Sequence, residues 1–348
     1  MSFSPVDRSG LTYREAGVDL KAAADLKERL AELVASTRTE AVRAGYGSFG
    51  GRFTTPSGDE LVASADGVGT KLKVAQMAGR HDSVGEDLVN HCVNDVLADG
   101  GSPLVFLDYF ACGALEPEVA FEVVSGVARG CRRNGCALVG GETAEMPGFY
   151  APGEYDLAGF LVGRIAYPEV ARRELRQGDR LVALASNGLH TNGFTLVRRI
   201  VLDRLGLDLQ DEWPGSGRSV ADELLRVHRS YLAPLREPCE AGWIRALAHI
   251  TGGGIPGNLV RVLPPELDAV VWADAWEPGE PYGLLAGPGG TPREEMFRVF
   301  NMGVGMIAVV HEEEASVVAA AEAERCAAWP CGELVPGGGR VRLEGVEG

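Results

Sequence analysis

Nowhere does this chain run to the roughly 18 uninterrupted apolar residues that a membrane-spanning helix needs, and Met1 to Arg14 holds no apolar signal core. Those absences remove a helical membrane span from the reading and make the cytoplasm the expected compartment. Cations are also short: 33 Lys and Arg stand against 49 Asp and Glu, a formal net charge of −16. Nucleic acid and anionic membrane are therefore not expected partners, because binding phosphate at that scale draws on clustered Lys and Arg. The seven cysteines are odd in number and scattered, with no close pair of the kind that chelates zinc. They read as reduced, buried packing residues. Absent too are a Walker-type phosphate loop, a Gly-x-Ser-x-Gly nucleophile elbow and any internal repeat of solenoid period.

What is present is enough apolar sequence for two packed domains. The length of 348 residues, at about 100 to 200 residues per domain, predicts two α/β halves. Leu61 to Ser64 reads as a short buried strand that delivers Asp66 to its C-terminal end, and a glycine loop follows. Val84, Leu88, Cys92 and Val96 recur at helical spacing, with Asp87, Asn90, His91, Asn94 and Asp95 on the opposite face. That polar stripe reads either as a solvated face or as part of a site. Leu104 to Tyr109 is a second strand, Glu118 to Cys131 an amphipathic helix ended by Asn134-Gly135, and Ala137 to Val139 a strand running into Gly140-Gly141-Glu142. Tyr155 to Val162 closes the first half, placed at residues 1–168. The second, 169–348, holds strands at Leu181 to Leu184, Asp268 to Trp272 and Met306 to Val310, and a polar excursion over Leu207 to Arg218. The fold class expected is α/β of the α+β type.

The chemistry-bearing residues lie in separate runs. Ala65-Asp66-Gly67-Val68-Gly69-Thr70-Lys71 offers a metal ligand, approachable amides, a hydroxyl and a cation within one loop. Asp66, Asp95 and Glu142 come from three motifs that folding could gather around one hard cation such as Mg²⁺, which takes carboxylate and phosphate oxygens. His190, between Gly188 and Asn192-Gly193, reads as an exposed loop imidazole able to position a substrate, or as an incidental residue of an Asn-Gly turn. Thr251-Gly252-Gly253-Gly254 reads as an amide nest for a phosphate or as a flexible turn into the next helix. His81, His228 and His311 read as surface residues, and His91 and His249 are open between the two possibilities.

Together with Val93-Asn94-Asp95 and Gly140-Gly141-Glu142-Thr143-Ala144-Glu145-Met146-Pro147, these runs make the chain resemble the phosphoribosylformylglycinamidine cyclo-ligase family from Tyr13 through Met306. The resemblance implies ring closure of formylglycinamidine ribonucleotide to aminoimidazole ribonucleotide, with ATP consumed and Mg²⁺ and K⁺ required. It implies Mg²⁺ on Asp66, Asp95 and Glu142, charge balance from Lys71 and a substrate-facing His190. Nucleotide and phosphate would be lined by Gly47, Gly50, Gly51, Gly67, Gly69, Thr70, Asn94, Gly140, Gly141, Asn192, Thr251, Gly252, Gly253 and Gly254. It also implies a homodimer in which the N-terminal halves build a shared β-barrel beside a C-terminal mixed sheet with helices. The chain departs from the pattern where Leu30-Ala31 stands in place of an Ile-Lys pair. Two alternatives carry different substrates or none: another ATP-dependent enzyme of the same superfamily, and a non-catalytic ATP-binding scaffold.

Overall fold

The computed structural model describes residues 11–44 and 47–346; most of the signal-free stretch Met1 to Arg14 lies outside the described residues. The first half contributes strands β1 Gly51–Thr54, β2 Glu60–Gly67, β3 Gly101–Cys112, β4 Ala137–Glu145 and β5 Tyr155–Ile165. They form one sheet in the order β1-β2-β5-β3-β4. Only β3 and β4 run parallel; the other pairs are antiparallel. Its helices are α1 Leu20–Ala35, α2 Lys71–Ala78, α3 Asp82–Ala98 and α4 Pro117–Asn134. The expected end of the amphipathic helix holds, with Gly135 in the left-handed conformation at φ 70 taking the backbone bonds of the last turn.

A strand places successive side chains on opposite faces. In β5 that puts Tyr155, Leu157 and Leu161 inward and Asp156, Phe160 and Arg164 outward. The inner face is covered by α3, which packs on β2, β3 and β5, and by α4 beside it, which packs on β3 and β4. The approach of α3 is close enough that a Cβ at Gly159 would lie 2.8 Å from the Leu88 side chain. Among the described residues the outer face has no cover: Phe160, Leu107 and Val139 are all exposed, Val139 by 56%. The sheet is open, with β1 and β4 as its edges, so one chain does not close the expected barrel.

The second half contributes helices α5 Pro168–Arg172, α6 Phe194–Arg198, α7 Val220–Leu224, α8 Leu232–Glu240, α9 Gly254–Leu259, α10 Tyr282–Ala286, α11 Arg293–Val299 and α12 Glu314–Ala323. Its strands are β6 Arg180–Ala185, β7 Ile244–His249, β8 Leu267–Trp272, β9 Val304–Val310, β10 Ala328–Pro336 and β11 Val341–Glu344. They form a mixed sheet in the order β11-β8-β10-β6-β9-β7, with only β11 and β8 parallel. The uninterrupted apolar run of β9 is buried along its whole length, as a strand covered on both faces requires. The connection between the sheets runs from Ile165 to Arg180, so residue 168 falls within it. The polar excursion is anchored rather than free: Trp213 is fully buried and its indole N–H donates to Glu280 at 3.0 Å.

Helix α3 joins the halves. Every residue from Ser83 to Ala98 is buried, which corrects the solvated-face reading of its polar stripe. The apolar side packs on the first sheet, and the polar side meets the second half. Asn90 and Asn94 donate to the backbone carbonyls of His228 and Arg229 at 2.7 and 2.8 Å, and Asn94 accepts from the Tyr231 amide at 2.9 Å. A buried polar stripe is tolerable only when its groups are bonded in this way.

Candidate functional site

Ser64 and Asp66 stand two residues apart on the inner face of β2, and both reach α3. Ser64 donates to Asp95 Oδ2 at 3.1 Å. Asp66 Oδ2 lies 2.8 Å from His91 Nε2, and its other oxygen accepts from the Gly67 amide at 2.7 Å. From the second half, at the end of β7, His249 Nδ1 lies 2.8 Å from Asp95 Oδ1. Donor atoms of His91, Asp95 and His249 all fall within 4.8 Å of one another. The structure thus brings Asp66 and Asp95 together around His91, with β2, α3 and β7 each supplying a part.

Charge at this junction is set by burial and by its partners. Burial pushes the Asp66 carboxyl up, but the His91 ring and the Gly67 amide outweigh it and hold the group below the ordinary aspartate range. Burial works against charge on His91, yet Asp66, Asp95 and Asp87 around it raise its pKa to about 9. His249 is held below its ordinary value by burial, against the opposing pull of Asp95. His228 and His190 are held well below theirs, first by burial and then by the neighbouring imidazoles and Lys71.

Two expected site residues occupy other positions than the sequence suggested. Lys71 is fully buried, and its ammonium donates to Asp87 at 2.9 Å, to the Arg226 carbonyl at 2.6 Å and to the His190 carbonyl at 3.2 Å. An ammonium has three N–H groups, so none remains for a phosphate: Lys71 latches the two halves together. Burial lowers the Lys71 pKa and raises that of Asp87, each against the pull of the other. His190 is not exposed either. The residue is 2% accessible, and its ring stacks on His228 at 4.0 Å and leaves both nitrogens without a hydrogen-bond partner among the described residues. Its backbone φ of 59 is one that side chains seldom adopt.

Glu142 is likewise apart. The glycines before it belong to β4, because pairing with β3 carries the strand through Glu145. Cross-strand partners share a face, and the register runs from Asp66 to Gly159, Asp108 and Gly141, whereas Glu142 pairs with Tyr109. Glu142 and Gly140 therefore stand on the uncovered face, three strand positions or about 14 Å across the sheet from Asp66. A single chain does not gather the three acids. The Cβ position of Gly141 is taken by the Asp108 carboxylate, so that glycine serves sheet packing.

The remaining glycine runs form two groups. Gly69 and Thr70 are exposed at the start of α2, and Thr70 Oγ1 lies 2.9 Å from Thr195 Oγ1. An open cavity of about 560 Å³ borders that contact, lined by Thr195, Arg198, Arg199 and Met77. The second group is tied by Arg261, whose guanidinium donates to the Gly47 and Ser48 carbonyls at 2.8 and 2.7 Å and to Asn258 at 3.3 Å. Gly50, at the start of the adjoining β1, gives its amide to the buried Asp99, and Gly51 follows it into the strand. Asn258 in turn bonds Thr251, Gly252 and Gly254, and Asn192 Oδ1 lies beside Gly252. Gly254 must be glycine, since its φ is 62 and a Cβ would sit 1.9 Å from the Phe297 carbonyl. A second cavity, about 730 Å³, opens beside Gly253 and Pro256 between Arg293 and Arg298.

Sequence reading missed His228, which is fully buried, and His81, which is buried with its Nδ1 2.9 Å from the Tyr155 hydroxyl. His311 is partly buried against Asp179 at 2.6 Å. The available signal was the density of bonding groups on the α3 stripe, too rich for a face that only meets water. All seven cysteines are buried and free, as expected.

Known proteins resemble the chain along its length. Residues 50–165 match the family described as AIR synthase related protein, N-terminal domain, and residues 176–344 its C-terminal domain. A phosphoribosylformylglycinamidine cyclo-ligase from Anaeromyxobacter sp. (strain Fw109-5) is 46% identical over 346 residues, 97% of this chain and 99% of that one. The protein of the same name from Myxococcus xanthus (strain DK1622) is 49% identical over 312 residues, 88% of this chain and 90% of its own. Among solved structures, the hydrogenase maturation protein HypE in complex with ATP superposes with a TM-score of 0.60 at 19% identity, over 94% of this chain and 92% of its own. At that identity the likeness concerns the fold.

Proposed function

The chain belongs to the phosphoribosylformylglycinamidine cyclo-ligase family, and on that premise we propose that the Asp66–Asp95 junction and the open loop beside it are its Mg-ATP site. It is an ATP-dependent ligase of purine biosynthesis, closing the ring of formylglycinamidine ribonucleotide to give aminoimidazole ribonucleotide, ADP and phosphate. The observation that carries the site is the pairing of Asp66 and Asp95 around His91, next to the exposed loop residues Gly69 and Thr70. Two hard carboxylates, one of them with a side chain 38% exposed, fit magnesium. Magnesium bound there would neutralise charge on the transferring phosphoryl group.

The chain's own residues align and shield. An amide oxygen is a poor leaving group, so we infer that ATP phosphorylates the formyl oxygen and that an internal nitrogen then displaces phosphate. Phosphoryl transfer asks the protein for positioning more than for covalent chemistry. Asp66 stands just ahead of the loop at the start of α2, where the exposed Gly69 and Thr70 would meet phosphate oxygens. Asn94 and Lys71 hold the second half against this loop. His190, buried with neither ring nitrogen bonded among the described residues, is the group that substrate would satisfy when it enters between the halves. Thr251, Gly252 and Gly254, tied together by Asn258, border the far side with Asn192 beside Gly252. Potassium dependence is part of the same reading.

Glu142 enters only through a second copy. The bare outer face of the first sheet, with Phe160, Leu107 and Val139 exposed, is the surface two chains would share, and Glu142 stands on it. We read the assembly as a homodimer with Glu142 at the junction. The test of function is ADP release from purified protein with Mg-ATP and potassium, with and without formylglycinamidine ribonucleotide, while aminoimidazole ribonucleotide is followed colorimetrically. Equal amounts of ADP and ring product, both dependent on that substrate, are expected; nucleotide binding without turnover would leave a scaffold.

A further inference from the structure

The end of α4 brings two of the seven cysteines together. Gly135 turns left-handed at φ 70 as the helix stops, and the Cys136 amide reaches back to donate to the Cys131 carbonyl at 3.0 Å. The Gly135 amide donates to the Arg132 carbonyl at 3.4 Å, and these two bonds make a Schellman turn, whose geometry also brings the side chains flanking the cap into contact. Here both of those side chains are thiols. Cys136 Sγ lies 3.8 Å from the Cys131 carbonyl, and the two residues are 9% and 2% accessible. We propose that Cys131 and Cys136 are a redox pair, which a peroxide oxidises to an intrachain disulfide across the cap of α4.

The pair also differs chemically from the other thiols. Contact between the two sulfurs holds Cys136 below the ordinary cysteine range, against the opposing effect of burial, and pushes Cys131 up. Burial raises Cys92, Cys112, Cys239, Cys326 and Cys331. The thiolate is the reactive form, so Cys136 is the sulfur that attacks. It takes one oxygen from hydrogen peroxide as the O–O bond breaks, leaving a sulfenic acid, and the other oxygen departs with the thiol proton as water. Cys131 then attacks the Cys136 sulfur; the S–O bond breaks and the departing hydroxide leaves with the Cys131 proton as a second water. The two thiols lose two electrons and the peroxide gains them. Asn134, between the cysteines in sequence, donates to Asn90 on α3 at 2.8 Å and accepts from Ser230 at 2.6 Å. The bridge would therefore fasten the turn through which α4 meets α3 and the second half.

The test is exposure of reduced, folded full-length protein to hydrogen peroxide, followed by thiol counting in denaturant and mass spectrometry of a tryptic digest made without reductant. Arg132 and Arg133 let trypsin cut between the two cysteines, so the bridge would appear as two joined peptides. Expected are loss of two of the seven thiols, a chain lighter by two hydrogens, the joined peptides, and full reversal by dithiothreitol. Cys131→Ser and Cys136→Ser should each abolish the joined peptides, whereas Cys326→Ser should still yield them. No thiol loss in the parent, oxygen added to Cys136 without a bridge, or a bridge between other cysteines would overturn the proposal. The parent digest decides alone if the variants do not fold. Because neither nucleotide nor substrate is present, failure here leaves the ADP-release reading untouched.

Discussion

In the second sheet β9 is buried along its whole length, whereas in the first sheet β5 alternates between inward leucines and outward Asp156, Phe160 and Arg164. The contrast follows from cover. In the second half, α12 packs against β6 and β10, while α5 and α9 pack against β7; in the first, α3 and α4 occupy one face and the other is bare. The second sheet is a finished core, and the first is a half-finished one whose outer face leaves Phe160, Leu107 and Val139 exposed. The acids follow the same division. Asp66 and Asp95 lie under cover, and Glu142 lies on the bare face.

The comparison breaks most severely if a charge enters the finished core. Ile307→Asp in β9 puts an unpaired carboxylate where accessibility is zero, and the expected cost of more than about 4 kcal/mol should appear as loss of folded protein by circular dichroism. Next comes the latch between the halves. Lys71→Met leaves Asp87 buried without its cation and should cost about 3–5 kcal/mol in denaturant unfolding, with Lys71→Met/Asp87→Leu recovering much of the loss. Gly254→Ala forces a Cβ against the Phe297 carbonyl at positive φ and should cost about 1–3 kcal/mol. Phe160→Asp on the bare face should change chain stability by no more than about 0.5 kcal/mol. Its effect should instead be to convert a dimer into a monomer in sedimentation; an unchanged sedimentation profile would show that the bare face is not the shared surface.

Strand alternation and helical spacing made the elements legible, because period-2 and period-3.6 patterns depend on nearby residues. The span of α4 and the strand ahead of Asp66 could be read for that reason. The far side of α3 could not. Most of what covers it comes from Thr191 and residues 228–249, 100 or more positions away, and no local pattern distinguishes a stripe that meets water from one that meets buried histidines. The same distance hid the latch, since Lys71 looks like a phosphate ligand until the Arg226 and His190 carbonyls close around it. Glu142 was misplaced by a smaller error: ending β4 at Val139 hides the register with β3 that turns its side chain outward.

The central claim is that the covered junction of Asp66 and Asp95 carries the ATP chemistry. It is tested most directly by substrate-dependent ADP release from Asp66→Asn under saturating magnesium, with thermal melting recorded on the same sample. A loss of about 100-fold or more in turnover, in protein that melts as cooperatively as the parent, is the predicted result. Turnover equal to the parent's would contradict the claim and move the site elsewhere on the chain.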